Sequence, residues 1–381
     1  MKNKHTIFNF LKLSFFSFLL ASCADDADDK DIYIPTPVSP VTVDLTQVPY
    51  PKLSDYHFFD GDLKNLEPSL DVLPYEPSST LFTDYAHKKR FIWLPKGTKA
   101  TYVADDKVIE LPVGAAIIKN FYYDKMQPNN TTQIIETRIM IRKAEGWIFA
   151  DYIWNQEQTE AFLDLDGSVI NITFKDDNDV IRTANYDIPN EAQCITCHKT
   201  VTYVNNNLVT THVPIAIKPQ SLNWNYTYKD GSSQNQLLKW IEAGYLDATF
   251  SLPSEQNTVV NYNDTSKPLE DRVRAYVDIN CAHCHQDEGH CNYRPMRYNF
   301  SSTFNNPTNM GVCVNTQDMQ DFPPALSKIV TPGNVNRSMM YYRMNTDNPS
   351  YLMPLHGRSI IHEEGVALIE EWINSLQGPC E

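Results

Sequence analysis

Two five-residue segments carry the clearest chemistry in the chain: Cys194-Ile195-Thr196-Cys197-His198 and Cys281-Ala282-His283-Cys284-His285. Two thiols one helical turn apart can add to the two vinyl groups of a haem, and the histidine that follows then lies beneath the iron as its proximal ligand. From the chain's own cysteine and histidine frequencies, two independent chance matches are on the order of one in 100,000. Coincidence does not compete. Paired cysteines also bind zinc or form disulfides, but structural zinc pairs usually stand about 15–20 residues apart, whereas 83 residues separate Cys197 from Cys281. A disulfide in an oxidising compartment would leave the histidine after each second cysteine unexplained. The spacing therefore points to two covalently bound haem c groups at two independent sites, with His198 and His285 as the iron ligands.

The far side of each iron needs a second ligand or an open position. For the second site the segment Tyr351-Leu352-Met353-Pro354-Leu355 precedes a final helix, and a thioether on iron raises the potential relative to bis-histidine ligation. Met353 is the preferred distal ligand, with Met344 and His356 as alternatives and Met339, Met340 and His362 nearby. For the first site Met140, His87 and His212 are all conceivable. Met140 is preferred, and an open or water-bound iron is the equal alternative. Of the eight cysteines, Cys23 and the four motif cysteines have assignments, leaving Cys291, Cys313 and Cys380. A Cys291–Cys313 disulfide would close the intervening loop; pairing of Cys380 or three free thiols are the alternatives.

The elements that must position these residues change character along the chain. From about Val43 to about Val204 the pattern is that of strands: Thr137, Ile139 and Ile141 alternate with Arg138, Met140 and Arg142, and Val169 to Phe174 is rich in β-branched residues. Turns are expected at Pro95-Lys96-Gly97, Asp164 to Gly167 and Asp176 to Asp179. Helical signals come later. Ser233 is a candidate N-cap for Gln234 to Ala243 with Gly244 as the stop, Pro268 opens a second helix running into Cys281, and a third spans about Glu363 to Leu376. A β-rich domain over 43–228 and a helical domain over 229–381 follow, with the boundary near Tyr226 to Gly231.

The first residues read as an export signal: Lys2, Lys4 and Lys12 precede an apolar run from Leu13 to Leu20, too short to span a membrane in the mature protein. The run ends in Leu20-Ala21-Ser22-Cys23, which resembles the lipobox of bacterial lipoproteins, so that 1–22 is a signal peptide and Cys23 carries the lipid. An ordinary secretory signal with an incidental cysteine is the alternative. Residues 23–42, acidic and then rich in proline, have too little apolar surface to fold and are expected to form a tether. An acidic run behind a lipidated cysteine also resembles the surface-export signal of some Gram-negative lipoproteins; a solvated spacer is the plainer reading. Outer-membrane anchoring follows, on the periplasmic or the cell-surface face. The formal charge of −15 becomes −18 without the three leader lysines, 29 basic against 47 acidic residues. Nucleic acid and anionic surfaces would repel such a protein, and a redox partner with a basic docking face would attract it.

The segment from Pro268 to Gln377 resembles the class I cytochrome c domain, in its helix leading into the second motif, its Met-Pro loop and its last helix with Trp372-Ile373. The region beyond the tether resembles a family of di-haem c-type cytochromes of bacterial lipoproteins. The resemblance lies in Leu81-Phe82-Thr83-Asp84-Tyr85-Ala86, Arg90-Phe91-Ile92-Trp93-Leu94-Pro95, Glu136-Thr137-Arg138, Tyr152-Ile153-Trp154-Asn155, Gln158-Thr159 and Ile188-Pro189-Asn190-Glu191-Ala192-Gln193-Cys194. It implies an α+β protein of two domains, a mainly-β N-terminal haem domain followed by an all-α cytochrome c domain, that binds haem and transfers electrons. The first site departs from the common cytochrome pattern in lacking a Met-Pro loop after it. Three functions are then in play. The first is a non-catalytic, membrane-anchored electron carrier, the second a di-haem peroxidase or oxidase with an open first iron, and the third a ligand-binding β-domain coupled to a haem outlet.

Overall fold

The computed structural model describes residues 37–380; the expected signal peptide, Cys23 and most of the tether lie outside them. Residues 39–42 already join the folded body: Ser39 Oγ donates to the Leu70 carbonyl at 2.7 Å, and Val41 packs on the core. Ser39–Glu381 form one compact unit, and the expected boundary at residue 228 falls inside it.

Strands dominate. A hairpin of β1 (Phe59–Asp60) and β2 (Glu67–Pro68) precedes an eight-stranded antiparallel sheet. The sheet contains β3 (Leu73–Pro74), β4 (His87–Trp93), β5 (Ala116–Met126), β6 (Thr131–Lys143), β7 (Gly146–Trp154), β8 (Ala161–Asp164), β9 (Ser168–Lys175) and β10 (Ile181–Ile188). Its main path runs β10-β9-β5-β6-β7-β8, with β4 pairing β5 on one side and β3 on the other. Both faces are covered. One bears Phe91, Trp93, Ile118, Ile139, Ile141, Tyr152 and Trp154 against Tyr50, Leu53, Tyr56 and Phe58 of the segment before it. The opposite face bears Ile92, Ile117, Met140 and Phe149 against Ile217, Leu222, Leu237 and Trp240.

Helix α1 (Glu191–His198) carries the first motif and lies by this second face. A hairpin of β11 (Lys199–Val204) and β12 (Asn207–His212) follows, then α2 (Pro219–Leu222), a hairpin of β13 (Asn225–Thr227) and β14 (Ser233–Asn235), and α3 (Gln236–Glu242). Asn235, not Ser233, caps α3, its side chain accepting from the Leu237 and Leu238 amides. Ser233 is occupied in the strand pairing with Thr227. The remaining helices are α4 (Leu269–Asn280), α5 (Phe300–Thr303), α6 (Met339–Met344) and α7 (Glu363–Ser375), with long non-repetitive segments between Cys281 and His362.

The expectation of a mainly-β domain followed by a separate all-α cytochrome c domain is therefore corrected. Strands make up 27% of the structure and helices 19%, and no distinct all-α domain forms. The physical reason is shared burial: α3 gives Leu237 and Trp240 to the same core as β-strand residues Ile92, Ile117 and Met140. Leu81, from the loop before β4, packs against the core of α4 and α7.

A buried carboxylate fastens these parts together. Asp84, 1% exposed, accepts from the Ser359 amide at 2.8 Å, the Ser359 hydroxyl at 2.9 Å and the Ile360 amide at 3.1 Å. Burial raises the Asp84 carboxyl above its usual value while these three donors and Arg358 lower it, and an amide in its place would turn its NH₂ toward the Ser359 donors. Asp84→Asn is expected to cost about 2–3 kcal/mol of stability, read as a lowered urea midpoint. A midpoint unchanged from wild type would mean that the carboxylate is not the fastening.

Candidate functional site

The first motif owes its geometry to a helix start. Pro189 and Asn190 follow β10, Asn190 Oδ1 accepts from the Gln193 amide at 3.0 Å, and Gln193 Oε1 accepts from the Asn190 amide at 2.9 Å. This reciprocal capping box fixes the first turn of α1. Cys194, Cys197 and His198 then occupy its last two turns. The β11–β12 hairpin brings the chain back so that Val213 grips the histidine twice: its amide donates to the His198 carbonyl at 2.8 Å, and His198 Nδ1 donates to the Val213 carbonyl at 2.7 Å. With Nδ1 so engaged, Nε2 is left as the free nitrogen, the arrangement a metal-ligating histidine needs. Burial, the largest influence, pulls His198 down to about 4 and keeps the ring neutral.

The second motif begins at the C-terminus of α4. The Cys281 and Ala282 amides both donate to the Val277 carbonyl, and the His285 amide donates to the Cys281 carbonyl at 3.0 Å. His285 sits edge-on to Tyr298, with ring centroids 5.5 Å apart, and its Nδ1 is buried with no partner. Burial pulls this ring down to about 4 as well. Both expected proximal histidines are neutral imidazoles at physiological pH, the form that ligates iron.

The two motifs, 83 residues apart in sequence, are neighbours in the fold. Cys197 Sγ, Cys284 Sγ and a ring nitrogen of His283 all lie within 4.8 Å of one another, so the two motifs touch through their second cysteines. A hydrogen bond between these two sulfurs favours the thiolate at Cys197 and holds Cys284 protonated. Burial pushes Cys194 and Cys281 up to about 12. The β11–β12 hairpin adds a further tie, the Val201 amide donating to the Glu288 carbonyl at 2.8 Å.

Two cavities flank this junction. The larger, about 320 Å³, is lined by Cys281, Cys284, His285, Met353 and Tyr276, with Arg343 and Arg358 at its wall. Its volume falls at the lower end of the roughly 300–1,000 Å³ typical of cofactor pockets. Met339, Met340, Met344, His356 and His362 line it too, so every distal candidate for the second site is present. Met344 belongs to the apolar core and Met340 packs against it. Met353 is held differently: its amide donates to the Arg343 carbonyl at 2.9 Å, and its carbonyl accepts from Arg358 Nε at 3.0 Å. That pinning fixes the backbone path of the Met353 loop at the cavity wall.

The smaller cavity, about 90 Å³, is lined by Cys194, Cys197, His198 and Met140, with Lys119, Arg138, Asp151 and His356. Met140 thus shares a cavity with His198. His87 does not: it lies 3.3 Å from Asp177 and 3.7 Å from Asp124, away from both cavities. His212 packs on Phe149 and lines neither cavity. At 90 Å³ this space is too small for a porphyrin unless its wall moves, and Cys197, His283, Pro354 and His356 are the wall it shares with the larger cavity.

Comparison with protein families, characterised proteins and solved structures returned no match. The functional reading rests on the residues around these cavities. No helix among the described residues is long and apolar enough to cross a membrane.

Several site residues escape a reading of spacing alone. His283 is a variable position of the second motif, and only its place between two cysteines hints at a ligand. His356, an alternative ligand for the second site, lines both the larger and the smaller cavity. Arg343, Arg358 and Lys119 carry no local signal. The expected Cys291–Cys313 disulfide is corrected: Cys313 pairs with Cys380, with Cα atoms 5.2 Å apart, while Cys291 is buried and free beside Cys284. The 67-residue separation ties the C-terminus to the loop after α5.

His362, in the wall of the larger cavity, gives the protein an acid sensitivity. Its ring stacks on Phe82 at 4.1 Å and its Nδ1 shares a 3.0 Å hydrogen bond with the Tyr276 hydroxyl. Burial first, then Lys88, Arg358 and Arg182, lowers it from 6.5 to about 3. The unfolded chain therefore binds this proton more readily than the folded one. The stability this neutral ring contributes is complete above pH 6.5 and is lost as pH falls toward 3, at up to about 1.4 kcal/mol per pH unit. His362→Phe, which keeps the stack and cannot titrate, is expected to flatten the fall in urea midpoint below pH 6.5. An equally steep fall in the variant would rule this group out.

Proposed function

We propose that the protein is a di-haem c-type electron carrier of the cell envelope, anchored by a lipid at Cys23. The observation that carries this reading is the convergence of two Cys-x-x-Cys-His motifs, distant in sequence, on one junction where the Cys197 and Cys284 sulfurs lie within 4.8 Å. Cys194, Cys197 and His198 would hold one haem and Cys281, Cys284 and His285 the other, supplying one-electron redox chemistry. The chain's own residues do the rest. Val213 orients His198, Tyr298 flanks His285, and the apolar wall of the larger cavity excludes water and tunes potential by burial. The touching motifs keep the two centres adjacent, and the acidic mature chain favours a basic redox partner whose affinity falls with salt.

A second reading has its own observation in its favour. Cys197, His283 and Cys284, with Cys291 beside them, form a ligand set suited to a soft or borderline metal such as zinc. The two readings exclude each other at the same sulfurs, because a cysteine bound to a vinyl carbon is no longer a thiolate.

Spectroscopy of the full chain, matured in a host that attaches haem, tests the carrier against the enzyme. Low-spin spectra for both haems, unchanged by carbon monoxide, cyanide or peroxide, are the expected result. A high-spin component that binds carbon monoxide and turns over peroxide would replace the carrier with a peroxidase-type enzyme.

A further inference from the structure

The sheet face beneath α1 carries an unusual row of charge. Arg90, Lys119, Arg138 and Asp151 are directly opposed neighbours on β4, β5, β6 and β7, so their side chains stand on one face in one line. The next row is Lys88, Phe121, Glu136 and Ile153. Four cations thus meet two carboxylates.

Neither carboxylate pairs with Lys119. Glu136 takes Arg138 in a two-point contact at 3.0 and 2.6 Å and also accepts from the Tyr186 hydroxyl at 2.6 Å. Asp151 lies 3.8 Å from the same Arg138, its Oδ2 is buried without a hydrogen-bond partner, and burial beside Glu136 pushes its carboxyl well above the usual carboxylate range. Lys88 donates to the Ala86 carbonyl. Arg90, with its side chain only 4% exposed, reaches Glu76 at 3.8 Å and leaves Nη1 without a hydrogen bond. Lys119 forms no hydrogen bond or ion pair among the described residues, and it lines the cavity beside His198 together with Arg138.

Like charges placed directly opposite in a sheet repel, and a half-buried cation without a partner is costly. Lys119, between the Arg90 and Arg138 guanidinium groups and with no carboxylate of its own, needs a counter-charge. We propose that Lys119 and Arg138, backed by Arg90, form a receptor for an anionic oxygen group in the cavity beside His198. At about 90 Å³ the cavity limits that group to a carboxylate or a small inorganic oxyanion. Burial and the flanking guanidinium groups pull Lys119 down to about 7, and an anion at this place would restore its charge. Two sources share the chemistry. One is a carboxylate of the haem attached at Cys194 and Cys197, which rests on the reading above; the other is a free oxyanion, which does not.

The test uses the full matured chain as wild type, Lys119→Gln and Lys119→Arg, with nitrite and acetate as probes at constant ionic strength. Intact mass first records whether haem is attached. If the source is free, either probe raises the melting temperature saturably in wild type and Lys119→Arg, and at least tenfold more weakly in Lys119→Gln. If the source is the haem, neither probe acts, and Lys119→Gln shifts the reduction potential of one haem while Lys119→Arg restores it. Chain without haem leaves the probe arm alone to decide, and an absent probe effect there overturns the receptor. In haem-loaded chain, no probe effect together with unchanged potentials in Lys119→Gln overturns it as well.

Discussion

Replacing Cys281 and Cys284 together by alanine is expected to lower the haem content of the matured protein from two to one, and replacing Cys194 and Cys197 together to do the same. In the haem reading each pair is bonded to its own porphyrin, so each loss is independent even though the motifs touch. The intact mass should fall by one haem, and the pyridine haemochrome absorbance per chain should halve. The metal reading gives a different pattern. A centre built on Cys197, His283 and Cys284 takes ligands from both motifs, so either double replacement would abolish it completely. Partial loss and total loss are easily told apart, and the metal reading would also make His283→Ala as damaging as either double variant. In the haem reading His283 is not a ligand, and His283→Ala should retain both haems.

In the same reading, the second large effect belongs to the far side of an iron held by His285. Met353→Ala is expected to remove the weak charge-transfer band at the red end of the ferric spectrum and to lower the potential of that haem by on the order of 0.1 V, a fraction of the roughly 0.8 V that axial ligands command. The loop is pinned by Arg343 and Arg358 through the Met353 backbone, so the substitution should leave its path intact. Met344→Ala instead opens a hole in the core of α4 and α7. It should cost about 2–5 kcal/mol of stability and leave the band in place. If the band survives in Met353→Ala and disappears in Met344→Ala, the thioether comes from α6.

Much of this site could be read in the sequence. The two motifs announce themselves, Pro268 and the apolar spacing of Val273, Tyr276 and Val277 mark α4, and Val366, Ile369, Trp372, Ile373 and Leu376 mark α7. The first seven of these apolar side chains are buried, and Leu376, just past the end of α7, is half-buried. Local pattern suffices there because the chemistry and the helix period are both short-range. It fails where distant segments meet. Nothing in 83 intervening residues encodes the contact of Cys197 with Cys284, and nothing near Cys313 shows that its partner is Cys380 and not Cys291.

The separate cytochrome c domain was misread for a related reason. Helical periodicity after residue 229 identifies helices, but it does not say which core receives them, and Leu237 and Trp240 join the β-sheet side. The alternation along β6 puts Arg138 on the same face as Met140, but it does not show that this face is covered. The Arg138 side chain is only 24% exposed and lines a cavity with Met140.

The intact mass of the full chain, produced where covalent haem attachment operates and measured after denaturation, bears most directly on the di-haem reading. The expected mass is that of the mature polypeptide plus two haem groups, with the colour staying on the chain through acid–acetone extraction. A colourless chain at the polypeptide mass, with all four motif thiols open to alkylation once any bound metal is removed, would contradict it.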